Sequence, residues 1–126
     1  MRRKILVIED ELSIRENLLE LLEAEGFETI GAENGEEGID LAKTQAPDLI
    51  LCDVIMPELD GYGVLKAMQQ DPITARTPFV FLTVKTTKAD YLQALERGVH
   101  EYLTKPFTRV ALLEMLNKRL ALNVLS

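Results

Sequence analysis

Three apolar runs in this chain show no polar alternation: Ile5–Ile8, Leu49–Cys52 and Phe79–Leu82. Successive side chains of a strand point to opposite faces, so a strand with one wet face alternates apolar and polar residues. A run that is apolar throughout belongs to a strand covered on both faces, as in a parallel sheet packed between helices. Two weaker strand signals, Phe27–Ala32 and Glu101–Thr104, carry more polar residues and suit positions nearer the sheet edges.

Helical patterns fill the intervals. Ser13-Ile-Arg-Glu16 has the S-x-x-E form of a capping box, followed by Ile14, Leu18, Leu21 and Leu22 on one face and by Gly26 as a stop. Asn34 with Glu37 predicts the start of a second helix, from Glu36 to about Gln45. Asp60 or Gly61 opens a third, carrying Val64, Leu65 and Met68 and ending before Pro72. Thr87 with Asp90 caps a fourth, closed by Gly98, and Thr108 caps a fifth with Leu113, Leu116 and Leu120 as its apolar stripe. Five β-α units joined by right-handed crossovers predict one α/β domain over residues 1–126, a three-layer α/β/α sandwich on a five-stranded parallel sheet. The residues after Leu120 lack linker composition and are expected to finish the last helix.

The strand ends carry the chemistry. The first, third and last strand segments stop at charge: Glu9 and Asp10, then Asp53, then Lys105. In a parallel sheet these ends share one edge, where open α/β folds bind ligands. The turn Glu9-Asp-Glu-Leu-Ser13 contains no glycine, so a dinucleotide turn or Walker-type phosphate loop is excluded. An acidic turn repels phosphate unless a cation stands between them. Magnesium suits this all-oxygen set, with Asp10 and Asp53 as ligands and Glu9 acting directly or through water. No Cys and His spacing for zinc is present. Asp53 has the chemistry of a nucleophile toward phosphorus, Lys105 can neutralise a phosphoryl oxygen, and the Thr83 hydroxyl can donate to another.

With 21 acidic residues against 14 basic and a net charge of −7, the chain lacks the basic footprint of a nucleic-acid binder. The single cysteine, Cys52, sits inside an apolar run and is expected to be a buried small residue. No apolar stretch approaches the ~18 residues that span a bilayer. The basic Met1-Arg-Arg-Lys4 is followed by too short an apolar run for a signal-peptide core, so a cytoplasmic location without membrane contact is expected.

Four segments, Val-Ile-Glu-Asp10, Asp53-Val-Ile-Met-Pro-Glu-Leu-Asp-Gly61, Phe-Leu-Thr83 and Tyr-Leu-Thr-Lys-Pro-Phe107, together resemble a response-regulator receiver domain over essentially the whole chain. The resemblance implies the flavodoxin-like strand order 2-1-3-4-5. It implies that Asp53 accepts a phosphoryl group from a histidine kinase or histidine phosphotransfer protein, so that the chain is a switch rather than an enzyme. Glu9 and Asp10, with Asp53 and a backbone carbonyl at Val54 or Ile55, then hold Mg2+. Lys105, across a cis bond to Pro106, pairs with the phosphoryl group. Thr83 and Tyr102 form the switch, which alters a face made of helix 4, strand 5 and helix 5, around Lys88–Arg97, Tyr102 and Arg109–Leu120, where an output protein or domain binds.

The same resemblance puts Ile55 and Lys85 beside the acyl phosphate, with Ile55 shielding it. Glu9 stands where aspartate is commoner, and Val84 where a smaller residue is frequent. Tyr91, Gln93 and His100 replace charges that mediate dimerisation in one DNA-binding subgroup; His100 itself reads as a surface residue before the last strand. Two other readings compete: a phosphorylation-independent pseudo-receiver, and a Mg2+-dependent phosphatase of the haloacid-dehalogenase type. The latter wants a second aspartate where this chain has Ile55.

Overall fold

The computed structural model describes residues 2–84 and 87–125, and side chains up to residue 121. Strands and helices alternate throughout: β1 (Lys4–Ile8), α1 (Leu12–Ala24), β2 (Glu28–Ala32), α2 (Gly35–Gln45), β3 (Leu49–Asp53), α3 (Gly61–Gln70), β4 (Phe79–Thr83), α4 (Lys88–Arg97), β5 (Glu101–Thr104) and α5 (Arg109–Leu125). The five strands form one parallel sheet in the order β2-β1-β3-β4-β5. The three apolar runs are the three inner strands, and the two weaker signals are the edges.

Strand alternation sorts the core into two layers. Leu6 and Ile8 join Ile50, Cys52, Phe79 and Phe81 on one face, covered by Ala42 of α2, by Val64, Leu65 and Met68 of α3 and by Ala94 of α4. Ile5 and Val7 join Leu49, Leu51, Val80 and Leu82 on the other, covered by Leu18 and Leu22 of α1 and by Leu112, Met115, Leu116 and Leu120 of α5. Both faces are dry, so between their ends these strands are apolar throughout, and Lys4, Asp53 and Thr83 stand only at the ends. Each large side chain buried this way stabilises the fold by about 2–3 kcal/mol relative to exposure. Cys52 is fully buried, and burial pushes its thiol pKa well up, as for an inert core residue.

Four of the five expected helix starts hold. Glu37, Gly63, Asp90 and Ala111 donate their backbone N–H groups to the side chains of Asn34, Asp60, Thr87 and Thr108 at 2.8–3.1 Å. Helix α2 begins at Gly35, one residue earlier than expected, and β2 begins at Glu28 rather than Phe27. The capping box at Ser13 does not form. Arg15 N–H already bonds the Glu11 carbonyl at 3.0 Å, so the helix starts at Leu12, and its N-cap Glu11 makes no side-chain cap bond. Only three residues separate the end of β1 from Leu12, and that short connection sets the first helical turn ahead of Ser13.

Candidate functional site

Sheet register assembles the site. Ile8 lies opposite Cys52, so the next residues, Glu9 and Asp53, emerge side by side at the C-terminal edge. That edge between β1 and β3 is where the chain reverses its winding direction, the place where doubly wound sheets bind ligands. On the far side Thr83 pairs with Thr104, and Lys105 N–H extends the ladder by donating to the Thr83 carbonyl at 2.7 Å. The Lys105–Pro106 peptide is cis, as the resemblance implied.

The side chains converge. Carboxylate oxygens of Glu9, Asp10 and Asp53 lie within 4.8 Å of one another. Lys105 Nζ donates to Glu9 Oε1 at 2.5 Å and to Asp53 Oδ2 at 3.2 Å. Glu9 is only 3% exposed, Asp53 12% and Lys105 13%, while Asp10 is at the surface. Asp53 Oδ1 accepts the Ile55 N–H at 3.2 Å, which fixes the rotation of its carboxylate. Thr83 is fully buried behind it.

Electrostatics reflect this crowding. Burial pushes the Glu9 carboxyl up to about 7; the hydrogen bond from Lys105 opposes that shift, and the negative charge of Asp53 adds to it. Burial works against the Lys105 ammonium, but its hydrogen bond to Glu9 and the two carboxylate charges outweigh burial and hold its pKa above the usual lysine value. Three carboxylates face one ammonium, all donors to a further cation are oxygens, and one of them is buried. Such a set fits a hard divalent ion of the Mg2+ kind.

The loop after β3 is pinned at its neck: Gly61 N–H donates to the Val54 carbonyl at 2.8 Å, and Asp60 caps α3. Ile55 and Val84 flank the site with side chains 52% and 60% exposed. Lys85 lies outside the described residues. Tyr102 on β5 stands edge-on to Phe81 of the core, with ring centroids 6.4 Å apart, and edge-on to Tyr91 of α4 at 5.6 Å. His100 is at the surface, as expected; its Nδ1 accepts the Phe79 N–H at 3.1 Å, and partial burial, with the Arg119 charge, lowers its pKa. One contact was not legible in advance. Arg15 Nη1 reaches back from α1 to the Glu9 carbonyl at 2.7 Å. Its only signal was a position one turn into a helix that follows the acidic pair.

A doubly wound sheet whose β1, β3 and β5 ends bring an acidic pair, an aspartate and a lysine together defines a class of protein as well as a fold. Residues 5–117 match the response regulator receiver domain, and the chain belongs to that family. It is 43% identical over 108 residues to the alkaline phosphatase synthesis transcriptional regulatory protein PhoP of Bacillus subtilis, covering 86% of this chain and 44% of PhoP. Protein PilH of Pseudomonas aeruginosa is 33% identical over 118 residues, covering 94% of this chain and 98% of PilH. The chain thus spans under half of one relative and nearly all of the other. The chemotaxis protein CheY4 of Vibrio cholerae superposes with a TM-score of 0.88 at 30% identity, covering 94% and 98% of the two chains. A receiver domain protein from Clostridium thermocellum gives 0.89 at 31%, with 98% of each covered. A receiver domain belongs to two-component signalling, and so implies a kinase partner in general terms. No helix among the described residues is long and apolar enough to cross a membrane.

Proposed function

We propose that the chain is a phosphorylation-dependent switch in which Asp53 accepts a phosphoryl group from a phosphohistidine donor, a histidine kinase or phosphotransfer protein, and that it is not an enzyme with turnover of its own. The observation that carries this reading is the Asp53 carboxylate, at a strand end with one oxygen held by Ile55 N–H and the other by Lys105. One Asp53 oxygen attacks phosphorus as the bond from phosphorus to the donor imidazole nitrogen breaks. The electron pair leaves with that nitrogen. Lys105, exchanging its contact with Asp53 for one with a phosphoryl oxygen, keeps its positive charge beside the group that gains negative charge. Asp10, Asp53, the Ile55 carbonyl and Glu9, directly or through water, would hold Mg2+, which would supply further charge neutralisation for the phosphoryl group. The Val54 carbonyl is the less suitable backbone donor because it already accepts from Gly61.

Output follows from the neighbours of Thr83 and Tyr102. Thr83 turning toward a phosphoryl oxygen changes the packing behind it, and a Tyr102 ring that turns inward gives up its edge contact with Tyr91. Helix α4 then presents its exposed Tyr91, Leu92 and Leu95 differently, which suits a partner protein or domain binding the α4–β5–α5 face. The phosphatase reading has no support at Ile55, whose side chain offers no acid-base group.

The test is intact mass after incubation with acetyl phosphate, with and without Mg2+, for the native chain and Asp53→Asn. One Mg2+-dependent phosphoryl adduct on the native chain alone is expected. No adduct from acetyl phosphate or from a phosphorylated histidine phosphotransfer protein, together with no beryllofluoride binding, would overturn the proposal.

Cation binding should depend on pH. Ligation through Glu9 requires its carboxylate, so binding releases a proton where Glu9 holds one, below about 7. Mg2+ affinity is therefore expected to fall roughly eightfold from pH 7.5 to pH 6, the ratio of ionised fractions for a group titrating near 7. Glu9→Gln should flatten that profile. A profile equally steep in the variant would show that another group carries it.

A further inference from the structure

The β1–α1 connection carries both acids of the pair yet has little to hold it. Its N-cap, Glu11, makes no side-chain cap bond. Four hydrogen bonds reach the connection at Glu9; the one from Lys105 Nζ to Oε1 at 2.5 Å holds only the side chain. Glu9 N–H donates to the Ala32 carbonyl at 3.0 Å, which only continues the sheet. Glu11 N–H donates to Glu9 Oε2 at 3.4 Å, a long bond that is given up once that carboxylate turns to a cation. The fourth is the shorter of the two on the Glu9 backbone: Arg15 Nη1 to the Glu9 carbonyl at 2.7 Å. It lands on backbone, so it survives whatever the Glu9 side chain does.

That carbonyl belongs to the peptide plane whose nitrogen is Asp10's. Fixing the plane fixes the Cα from which the Asp10 side chain departs, and Asp10, at the surface, has no core packing to orient it. The arginine is placed for this. A Cβ at Gly31 of β2 would come within 3.4 Å of Arg15 Cδ and 3.6 Å of its Cγ, so the arginine stem lies against bare backbone there. Among the described residues no carboxylate lies within ion-pair reach of Arg15. The charge is used on a carbonyl, where a charge-assisted bond is about twice as strong as a neutral one.

We propose that Arg15 is a positioning residue for the divalent cation: by clamping the Glu9–Asp10 peptide it holds Asp10 facing Asp53. This rests on the site being a Mg2+ site, as proposed above. The sign of the effect separates positioning from simple charge. A cation beside an acidic cluster repels Mg2+, so if Arg15 acted only as background charge its removal would tighten binding. If it positions Asp10, removal weakens binding although a repelling charge has gone.

The test is a MgCl2 titration of the full chain followed by amide resonances, for native protein, Arg15→Met, Arg15→Lys and Gly31→Val, with folding checked by circular dichroism. Arg15→Met is expected to bind Mg2+ about tenfold more weakly, the low end for loss of a group that orients a metal ligand. Its metal-free Asp10 amide resonance should also move, because the preceding carbonyl loses its donor. Arg15→Lys, which keeps a donor and the charge, should recover part of the affinity. Gly31→Val, whose side chain would crowd the tip of Leu19 and the arginine stem at constant net charge, should weaken binding in the same direction. Unchanged or tighter binding by Arg15→Met, with normal Mg2+ binding by the native chain, overturns the role of Arg15 alone. No Mg2+ binding by the folded native chain overturns this proposal and the Mg2+ site together.

Discussion

Lys105→Met is expected to lose about 3 kcal/mol of folding stability at pH 8.5, the low end for removing one partner of a buried ion pair. The lysine is the sole ammonium bonded to both Glu9 and Asp53 among the described residues, and Glu9 is buried. Without it two carboxylates face each other in a poorly hydrated place. The loss should shrink to about 1 kcal/mol at pH 6, the net worth of ordinary hydrogen bonds. The sign follows from linkage. Glu9 in the folded native chain keeps a proton that the unfolded chain releases from about 4.5, so metal-free stability falls as pH rises from there through about 7 and then levels off. Removing Lys105 raises the folded Glu9 value further, so the variant goes on losing stability above pH 7. Urea unfolding at the two pH values measures this, and an equal loss at both would contradict it.

Gly61→Ala is expected to be strongly destabilising for the addition of one methyl group. A Cβ at Gly61 would lie 2.6 Å from the Asp53 carbonyl oxygen, 2.8 Å from Val54 Cα and 3.0 Å from Phe81 Cε1. Two of these are backbone atoms, and the hydrogen bond from Gly61 N–H to the Val54 carbonyl prevents α3 from backing away without loss. Overpacking of this kind costs about 2–3 kcal/mol, or roughly 10 °C in Tm for a domain of this size. Because the clash pushes on the carbonyl of Asp53 itself, phosphoryl acceptance should fall as well. Gly63→Ala is the control. Its Cβ would meet the tip of the Leu59 side chain, which can rotate aside. If Gly61→Ala melts no lower than Gly63→Ala, the close approach at Asp53 does not constrain the loop.

Much of the molecule was legible before any coordinates, for local reasons. Residues such as Leu6 and Val7 are adjacent and both must be buried, so an unbroken apolar run reports a two-sided strand without reference to its partners. Asn34, Asp60, Thr87 and Thr108 announced their helices because a cap bond spans only three residues. Ser13 failed by the same standard. Its pattern was equally good, but the end of β1 at Ile8 and the helical bond from Arg15 N–H to Glu11 had already set the first turn.

The sequence by itself determined the alternation of strands and helices, the two-sided burial of β1, β3 and β4, and the charged residue that ends each functional strand. All of these depend on neighbours within a few positions, where periodicity and capping act. That these charges share one edge follows from a parallel sheet, but which of their atoms touch was decided by tertiary structure. Lys105 and Glu9 stand 96 residues apart and touch because the strand order sets β1 and β5 on either side of β3 and β4, with their C-terminal ends on one edge. The passage of the Arg15 stem over Gly31 of β2 and the burial that drives Glu9 toward neutrality are of the same kind. Each depends on distances across the sheet, and no spacing along the chain encodes them.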